Sequence, residues 1–379
     1  MGTAATKQKD WLIAIRAPRT GGVRLIQLVE DLGGIDVVVS AGHAVLKRAG
    51  LDDTTITAFR NYDAGLLESD TEWLASPAHH LLTWDSDQYP ALLRDIPSPP
   101  AALFVDGDPD VLWQPQVAVI GSRNPTAGGR DNALDFAAEL SRQGLTVTSG
   151  MASGIDSIAH GAALDAGGYT VAVAGTGLDI VYPASGRDLA SRICQQGALV
   201  SEFPPGTPAR RSHFPSRNRI ISGLSLGVLV IEAGLNSGTL ITARMAGNQG
   251  RDVFALPGSI HNPMSKGCHR LIREGVRLVE NVAQIMEELA PMAGQLAGEL
   301  EKQLEQPEQG VLEISGQEPQ LEQDPEYRLL WSCLGFDPKP VDSIIEQSGL
   351  TARAVSAMLL MLELRGKVEA HPGGAYSRK

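Results

Sequence analysis

Val117-Ala118-Val119-Ile120-Gly121-Ser122-Arg123-Asn124-Pro125-Thr126 is an apolar run of buried-strand type that stops at a glycine and hands over to a hydroxyl and a guanidinium. A strand feeding a polar, glycine-started turn ahead of a helix is where parallel α/β sheets bind anions. Gly121 lets backbone N–H groups approach an oxyanion, Ser122 offers a hydroxyl, and Arg123 adds a charged fork. The same ten residues also fit an ordinary strand-to-helix turn, because neither G-x-G-x-x-G nor a P-loop is present.

Outward from this stretch, residues 116–290 alternate strand-like and helix-like blocks. Strands are expected at 117–120, 146–149, 170–174, 198–201, 227–232 and 252–256, and 130–143 is the clearest helix. The alternation predicts an α/β domain built on a doubly wound, mainly parallel sheet. Glycine-bearing loops follow all but the fourth strand, and the carboxyl ends of parallel strands are where ligands dock.

Residues 1–75 read as short helices, with Leu25, Ile26, Leu28, Val29 and Leu32 at helical spacing before Gly33-Gly34. Residues 76–115, rich in proline and aromatics, read as an extended connector packing on the core. Residues 291–324 read as an acidic flexible linker. Residues 325–379 resume as three helices and a β-hairpin around His371-Pro372-Gly373-Gly374, a winged-helix layout with Thr351 as N-cap of the third helix, 352–365. That helix carries Val355, Met358, Leu359, Leu360, Met361, Leu362 and Leu364 and few bases, which suits protein contact better than base reading.

Composition narrows the partners. The chain has 379 residues, 43% apolar and 20% charged, in the range of a soluble globular protein with two or three domains. No apolar run approaches the roughly 18 residues that span a bilayer, and no secretory h-region follows Met1, so a cytoplasmic protein without a membrane partner is expected. Cys194, Cys268 and Cys333 are too far apart for a disulfide framework or zinc spacing. The net charge of −12 is uneven: 287–326 carries eleven acids against one base, whereas 116–286 carries fifteen bases, fourteen of them arginine, against twelve acids. An arginine-selected core leaves nucleic acid open as a partner.

Five loops carry the chemistry. They are Gly121-Ser122-Arg123; the segment 149–156, with Ser149, Gly150 and Gly154; the segment 175–179, with Thr176 and Gly177; the segment 210–223, with Arg210, Arg211, Phe214, Arg217, Asn218 and Arg219; and the segment 232–239. Arginines, a ring and glycine-rich turns suit a sequence-tolerant single-strand site, with cations on phosphates and bases stacked on the ring. For each piece a structural role is the alternative: Asp156 and Asp179 as caps, Phe214 as core, Arg210-Arg211 as a solvated face. His160, His213, His261 and His269 have no ligand-like spacing, and no serine is paired with a base, so neither a metal, a cofactor nor a nucleophile is expected.

Taken together, Gly121-Ser122-Arg123, the 149–156 loop, Gly175-Thr176-Gly177-Leu178-Asp179 with Tyr182-Pro183, Ser201-Glu202 with Pro204-Pro205-Gly206, Phe214-Pro215 with the 217–223 run, and Pro257-Gly258 followed by Gly267-Cys268 resemble the DNA-processing protein A family (DprA/Smf). The resemblance is dense over 81–286; the flanking parts match as a SAM-like helical module and a winged helix. It implies an extended Rossmann-like domain and a non-catalytic homodimer that binds and protects incoming single-stranded DNA and loads the RecA recombinase during natural transformation, with single-strand-binding protein as a further partner. It places Gly121, Ser122, Arg123, Arg211, Phe214, Arg217, Asn218 and Arg219 in the DNA pocket, with Lys266 added beside Gly267-Cys268 and a dimer contact near 268–277. One departure is His269, where the family pattern has asparagine.

An enzyme reading arises from the same fold. Nucleotide phosphoribohydrolases of the lysine-decarboxylase-like group carry a Gly-Gly-x-Gly-Thr-x-x-Glu loop, and here Thr242 stands where that glutamate belongs. The carboxylate that steadies an oxocarbenium-like centre is missing. A transcription regulator acting through the winged helix is a third reading.

Overall fold

The computed structural model describes residues 3–305, 325–335, 338–348, 350, 355, 359, 362, 368–371 and 375–378. They fall into two compact units, Met1–Gln306 and Pro307–Lys379.

The first unit is centred on a nine-stranded sheet: β1 (His79–Thr83), β2 (Ala102–Gly107), β3 (Gln116–Ile120), β4 (Thr146–Ser149), β5 (Thr170–Val173), β6 (Gly197–Ser201), β7 (Gly227–Val230), β8 (Asp252–Ala255) and β9 (Arg277–Leu278), in the order β1-β2-β6-β5-β4-β3-β7-β8-β9. All pairings from β6 to β9 are parallel, whereas β1, β2 and β6 pair antiparallel. The expected α/β architecture is borne out, and all six expected strands are present.

β3 is the centre from which the chain winds both ways, through β4, β5 and β6 on one side and β7, β8 and β9 on the other. A doubly wound sheet opens a crevice where the winding reverses. All five β3 residues are buried; Val117 and Val119 pack into one layer, and Ala118 and Ile120 into the other. The helix Ala127–Arg142 starts where Thr126 caps the N–H of Gly129 at 3.1 Å and buries Ala133, Phe136, Ala137 and Leu140, one face at i, i+3, i+4, i+7. Burial of Phe136 and Leu140 contributes roughly 1.5–3 kcal/mol each.

Two expectations are corrected. Residues 76–115 are not an extended connector laid on the core: they supply β1 and β2, which extend the sheet beyond β6. Non-local pairing, with Phe104 opposite Ser201, makes these strands. Nor does a flexible linker begin at 291. The helix Val282–Glu305 runs through Pro291, because Val282, Ile285, Leu289 and Met292 keep a helical apolar stripe against the sheet beneath the acidic residues. The rest of that segment, 306–324, lies outside the described residues.

The N-terminal helices Thr3–Arg16, Gly22–Leu32, Ile35–Ser40, His43–Arg48, Asp53–Arg60 and Ala64–Leu74 enclose their own core around Trp11, Leu25, Ile35 and Leu46. Arg16 ties them to the sheet. Its guanidinium grips both oxygens of the buried Asp70 at 2.5 Å and donates to the Pro205 carbonyl beyond β6 at 2.9 Å.

The second unit contains the helices Pro325–Cys333 and Val341–Ser348 and a small sheet of Lys339–Pro340, Ala375–Arg378 and Val368–His371. Val355, Leu359 and Leu362 are helical and buried against Leu330, Leu334 and Ile344. The remainder of the expected third helix, its cap Thr351 and the hairpin tip Pro372 to Gly374 lie outside the described residues.

Candidate nucleic-acid interface

A pocket of about 540 Å³ opens beyond the carboxyl ends of β3 and β7, in the crevice where the winding reverses. Its wall includes Gly121, Ser122, Arg123, Phe214, Asn218 and Thr239. The opening loop is held from every side. Ser122 accepts the Asn124 N–H at 3.1 Å, its carbonyl accepts Ile155 N–H at 3.1 Å, and Thr239 Oγ1 donates to the Gly121 carbonyl at 3.0 Å. Glu232, buried after β7, accepts from the Thr126 N–H at 2.9 Å, the Thr126 hydroxyl at 2.6 Å and Asn262 Nδ2 at 3.1 Å. Such a preorganised turn presents the Arg123 side chain outward without spending it: Arg123 is exposed and makes no hydrogen bond or ion pair among the described residues.

Two glycines here are dictated by close approach. A Cβ on Gly121 would lie 2.6 Å from Ile155 Cγ1, and Gly154, at φ +87°, would drive a side chain into the carbonyl oxygens of Ser122 and Arg123.

Of the expected contact residues, the structure brings Gly121, Ser122, Arg123, Phe214, Arg217 and Asn218 to this pocket. Arg211 stands exposed just before the helix His213–Leu224 and, like Arg210, makes no ion pair among the described residues. The others are engaged differently. Ser149 is fully buried and donates to the Val119 carbonyl at 2.7 Å. Gly150 lies beneath the Arg217 guanidinium. Thr176 is buried with its hydroxyl on Ile180 O at 2.7 Å, and the Gly177 N–H bonds Thr207 O at 2.9 Å, so both shape the loop after β5. Arg219 is clamped to Glu202. Lys266 lies elsewhere, on a shallow groove of about 600 Å³ with Leu235, Pro257, Ile260, His269, Arg273 and Leu278.

Arg217 is the structural cation beneath the pocket. It is 5% exposed, donates to the carbonyls of Gly150 and Val173 and to Asn218 Oδ1 at 3.2 Å, and lies 5.9 Å from the Phe214 ring centre. Burial lowers its pKa to about 10, although the neighbouring Asp156 pulls it back up. Asp156 is buried too, and desolvation raises its pKa against the opposing pull of Arg217. The pair fastens the 149–156 loop to the helix bearing Phe214 and offers little charge to solvent.

Glu232 and Tyr182 were not among the expected contact residues. Glu232 carried no signal beyond being an acid after a strand, since its partners lie about 30 and 106 residues away. Tyr182 was visible only as part of a Tyr-Pro pair, yet its ring sits 5.3 Å from that of Phe214. Among the described residues no group of three or more His, Cys, Asp or Glu is placed to hold a metal ion.

The family model for DNA recombination-mediator protein A matches residues 80–290, and that for the DprA winged helix domain matches 315–374. Protein Smf of Escherichia coli is 41% identical over 353 residues, which cover 93% of this chain and 90% of that one. The chain belongs to the DNA recombination-mediator protein A family. Within the family, DprA of Streptococcus pneumoniae superposes with a TM-score of 0.65 at 34% identity, covering 74% of this chain and 96% of that one. DprA of Helicobacter pylori, described for its single-stranded DNA binding mode, superposes with a TM-score of 0.51 at 29% identity over 56% of this chain and 96% of its own. The family resemblance and fold class expected from the sequence are both borne out.

Proposed function

We propose that this protein binds single-stranded DNA across the β3/β7 crevice and, in the cytoplasm, protects incoming DNA and loads the RecA recombinase on it during natural transformation. The observation that carries the reading is the exposed Arg123 guanidinium, unpaired among the described residues, on a pocket walled by the Phe214 ring, with a second such cation, Arg211, exposed three residues ahead of Phe214. Cations follow a flexible phosphate chain while an open ring accepts any base, a pairing that favours single strands. The family's recombination-mediator description supports RecA as partner, and single-strand-binding protein follows as the competitor that RecA loading must displace.

The protein acts as binder, not as enzyme. Thr242 is buried where the hydrolase group has its glutamate, and the nearby Glu232 spends its carboxylate on Thr126 and Asn262. A homodimer is supported by the groove holding Lys266: Ile260 is 73% exposed, Leu235 48% and Leu278 43%, a clustered apolar surface beside the two-residue edge strand β9.

Salt titration of the full-length protein against matched single-stranded and double-stranded oligonucleotides tests the reading. Tighter single-strand binding, with log affinity falling linearly against log salt, is expected. Equal affinity for both, or release of free base from a nucleoside monophosphate, overturns it.

A further inference from the structure

The loop after β5 is expected from sequence to touch DNA through Thr176 and Gly177, but its polar groups are turned inward. Thr176 Oγ1 bonds Ile180 O, Ser201 Oγ bonds Thr176 O at 2.7 Å, and the Asp179 carboxylate takes the Gly206 N–H at 2.8 and 2.9 Å. What this rigid loop presents outward is Tyr182. Its side chain is 53% exposed, its hydroxyl has no hydrogen-bond partner among the described residues, and its ring leans on Phe214 with centres 5.3 Å apart and planes tilted by 45°. Phe214 is fixed from below: the Gly175 backbone passes beneath it so closely that a Cβ there would lie 3.2 Å from its ring, and Arg217 lies 5.9 Å from its centre. A large ring left half in water beside a pocket-wall ring costs apolar exposure that a ligand base recovers.

We propose that Tyr182 is a second base-stacking surface, so that neighbouring bases of one strand seat on Phe214 and Tyr182 in turn. The inference rests on the single-strand reading above and adds a residue and a strand geometry to it. The geometry decides what the step selects. Stacked bases are parallel and about 3.4 Å apart, whereas these rings are 5.3 Å apart and tilted by 45°. Two bases placed on them are unstacked from each other, and the strand kinks between them. Duplex DNA, whose bases must stay paired and stacked, does not fit. Single strands that stack well among themselves, such as oligo-dA, must break that stacking first, so oligo-dT binds better. Arg211 and Arg210, exposed ahead of the Phe214 helix, lie in the same loop cluster to meet the phosphates of the kinked step.

The test uses the full-length protein and fluorescein-labelled dT and dA oligonucleotides of equal length. Tyr182→Leu keeps an apolar cover on Phe214 and removes the aromatic face; affinity for dT falls at least about fivefold, the preference for dT over dA shrinks, and circular dichroism and melting temperature stay those of the parent. Tyr182→Phe restores dT affinity, because the ring and not the hydroxyl is used. In dT strands carrying one 2-aminopurine, quenching at one position depends on Phe214 and at the adjacent position on Tyr182. If Phe214→Leu weakens binding while Tyr182→Leu stays within twofold of the parent, the second stacking surface is wrong and the single-strand reading stands. If Tyr182→Phe fails to restore affinity, a hydroxyl contact replaces stacking and the inference falls. If Arg123→Ala, Phe214→Leu and Tyr182→Leu all bind as the parent does, both readings fall together.

Discussion

Arg219 donates to both carboxylate oxygens of Glu202, at 2.8 and 2.7 Å, and through Nε to the Ser98 carbonyl at 2.8 Å. Both side chains are less than one-fifth exposed. With a further bond from Arg219 to the Ser216 carbonyl, four of its five N–H groups are spent, which pins the helix His213–Leu224 to the ends of β6 and of the segment leading into β2 and neutralises the charge that a phosphate would meet. Arg219→Ala is therefore expected to lower unfolding free energy by about 2 kcal/mol in urea titration and to leave the salt dependence of single-strand binding unchanged. Arg123→Ala does the reverse: stability stays within about 0.5 kcal/mol, and the slope of log affinity against log salt flattens by about 0.7. An equal loss of slope in both variants refutes the division.

The junction between the helical module and the sheet rests on Arg16, held by the buried Asp70 and by Pro205 O. Removing one partner of a buried charge pair strands the other. Asp70→Ala is expected to cost about 3 kcal/mol, and hydrogen exchange should rise first in Thr3–Arg16 and Ala64–Leu74, with the sheet protected. Uniform loss of protection across β3 to β8 would place the effect in the whole unit instead.

Legibility followed locality. β3 could be read because five consecutive residues are buried on both faces, and Ala127–Arg142 because one turn chemistry and one apolar stripe lie within sixteen residues. β1, β2 and β9 could not, since pairing across distant segments makes them strands: His79-His80-Leu81-Leu82-Thr83 has no alternation, and Arg277–Leu278 is two residues long. The pocket's location followed from glycine loops at strand ends, but the division of labour among its arginines did not. Arg217 and Arg219 look alike on either side of Asn218; what separates them is Gly150, Val173 and Asp156 around one and Glu202 and Ser98 around the other, all brought together only by folding.

His160 makes stability pH-dependent. It is fully buried, its Nδ1 donates to Thr170 Oγ1 at 2.7 Å because that hydroxyl donates in turn to Val147 O, and its Nε2 has no partner among the described residues. Burial, aided by the charge of Arg217, lowers its pKa from 6.5 to about 3. Below pH 6.5 the unfolded chain takes up this proton and the folded one does not, so stability falls as pH drops from about 6.5 toward 3. At pH 4.5, two pH units below 6.5, the loss from this group is on the order of 3 kcal/mol. His160→Gln lacks it: urea titrations at pH 7.5 and 4.5 should differ by about that much less in the variant. An unchanged difference assigns the acid sensitivity to other groups.

The proposed dimer surface makes the last prediction. Ile260, Leu235 and Leu278 project around the Lys266 groove, and β9 leaves the sheet edge beside them open to a second copy. An arginine at the centre of such a patch must be desolvated against apolar partners and against the Lys266 and Arg273 of both copies. Ile260→Arg should thus raise the dimer dissociation constant at least about 100-fold, the scale of an interface hot spot, converting the protein to monomer at micromolar concentration in sedimentation velocity. Its melting temperature should hold, because Ile260 is 73% exposed within its own subunit. The pocket lies in the β3/β7 crevice and the groove beyond Pro257, so short oligo-dT that fills one pocket should bind the monomer as well as the parent, while longer strands spanning two pockets lose the gain in avidity. A variant that stays dimeric moves the interface to another face, and one that loses short-oligonucleotide binding makes the pocket depend on the partner copy.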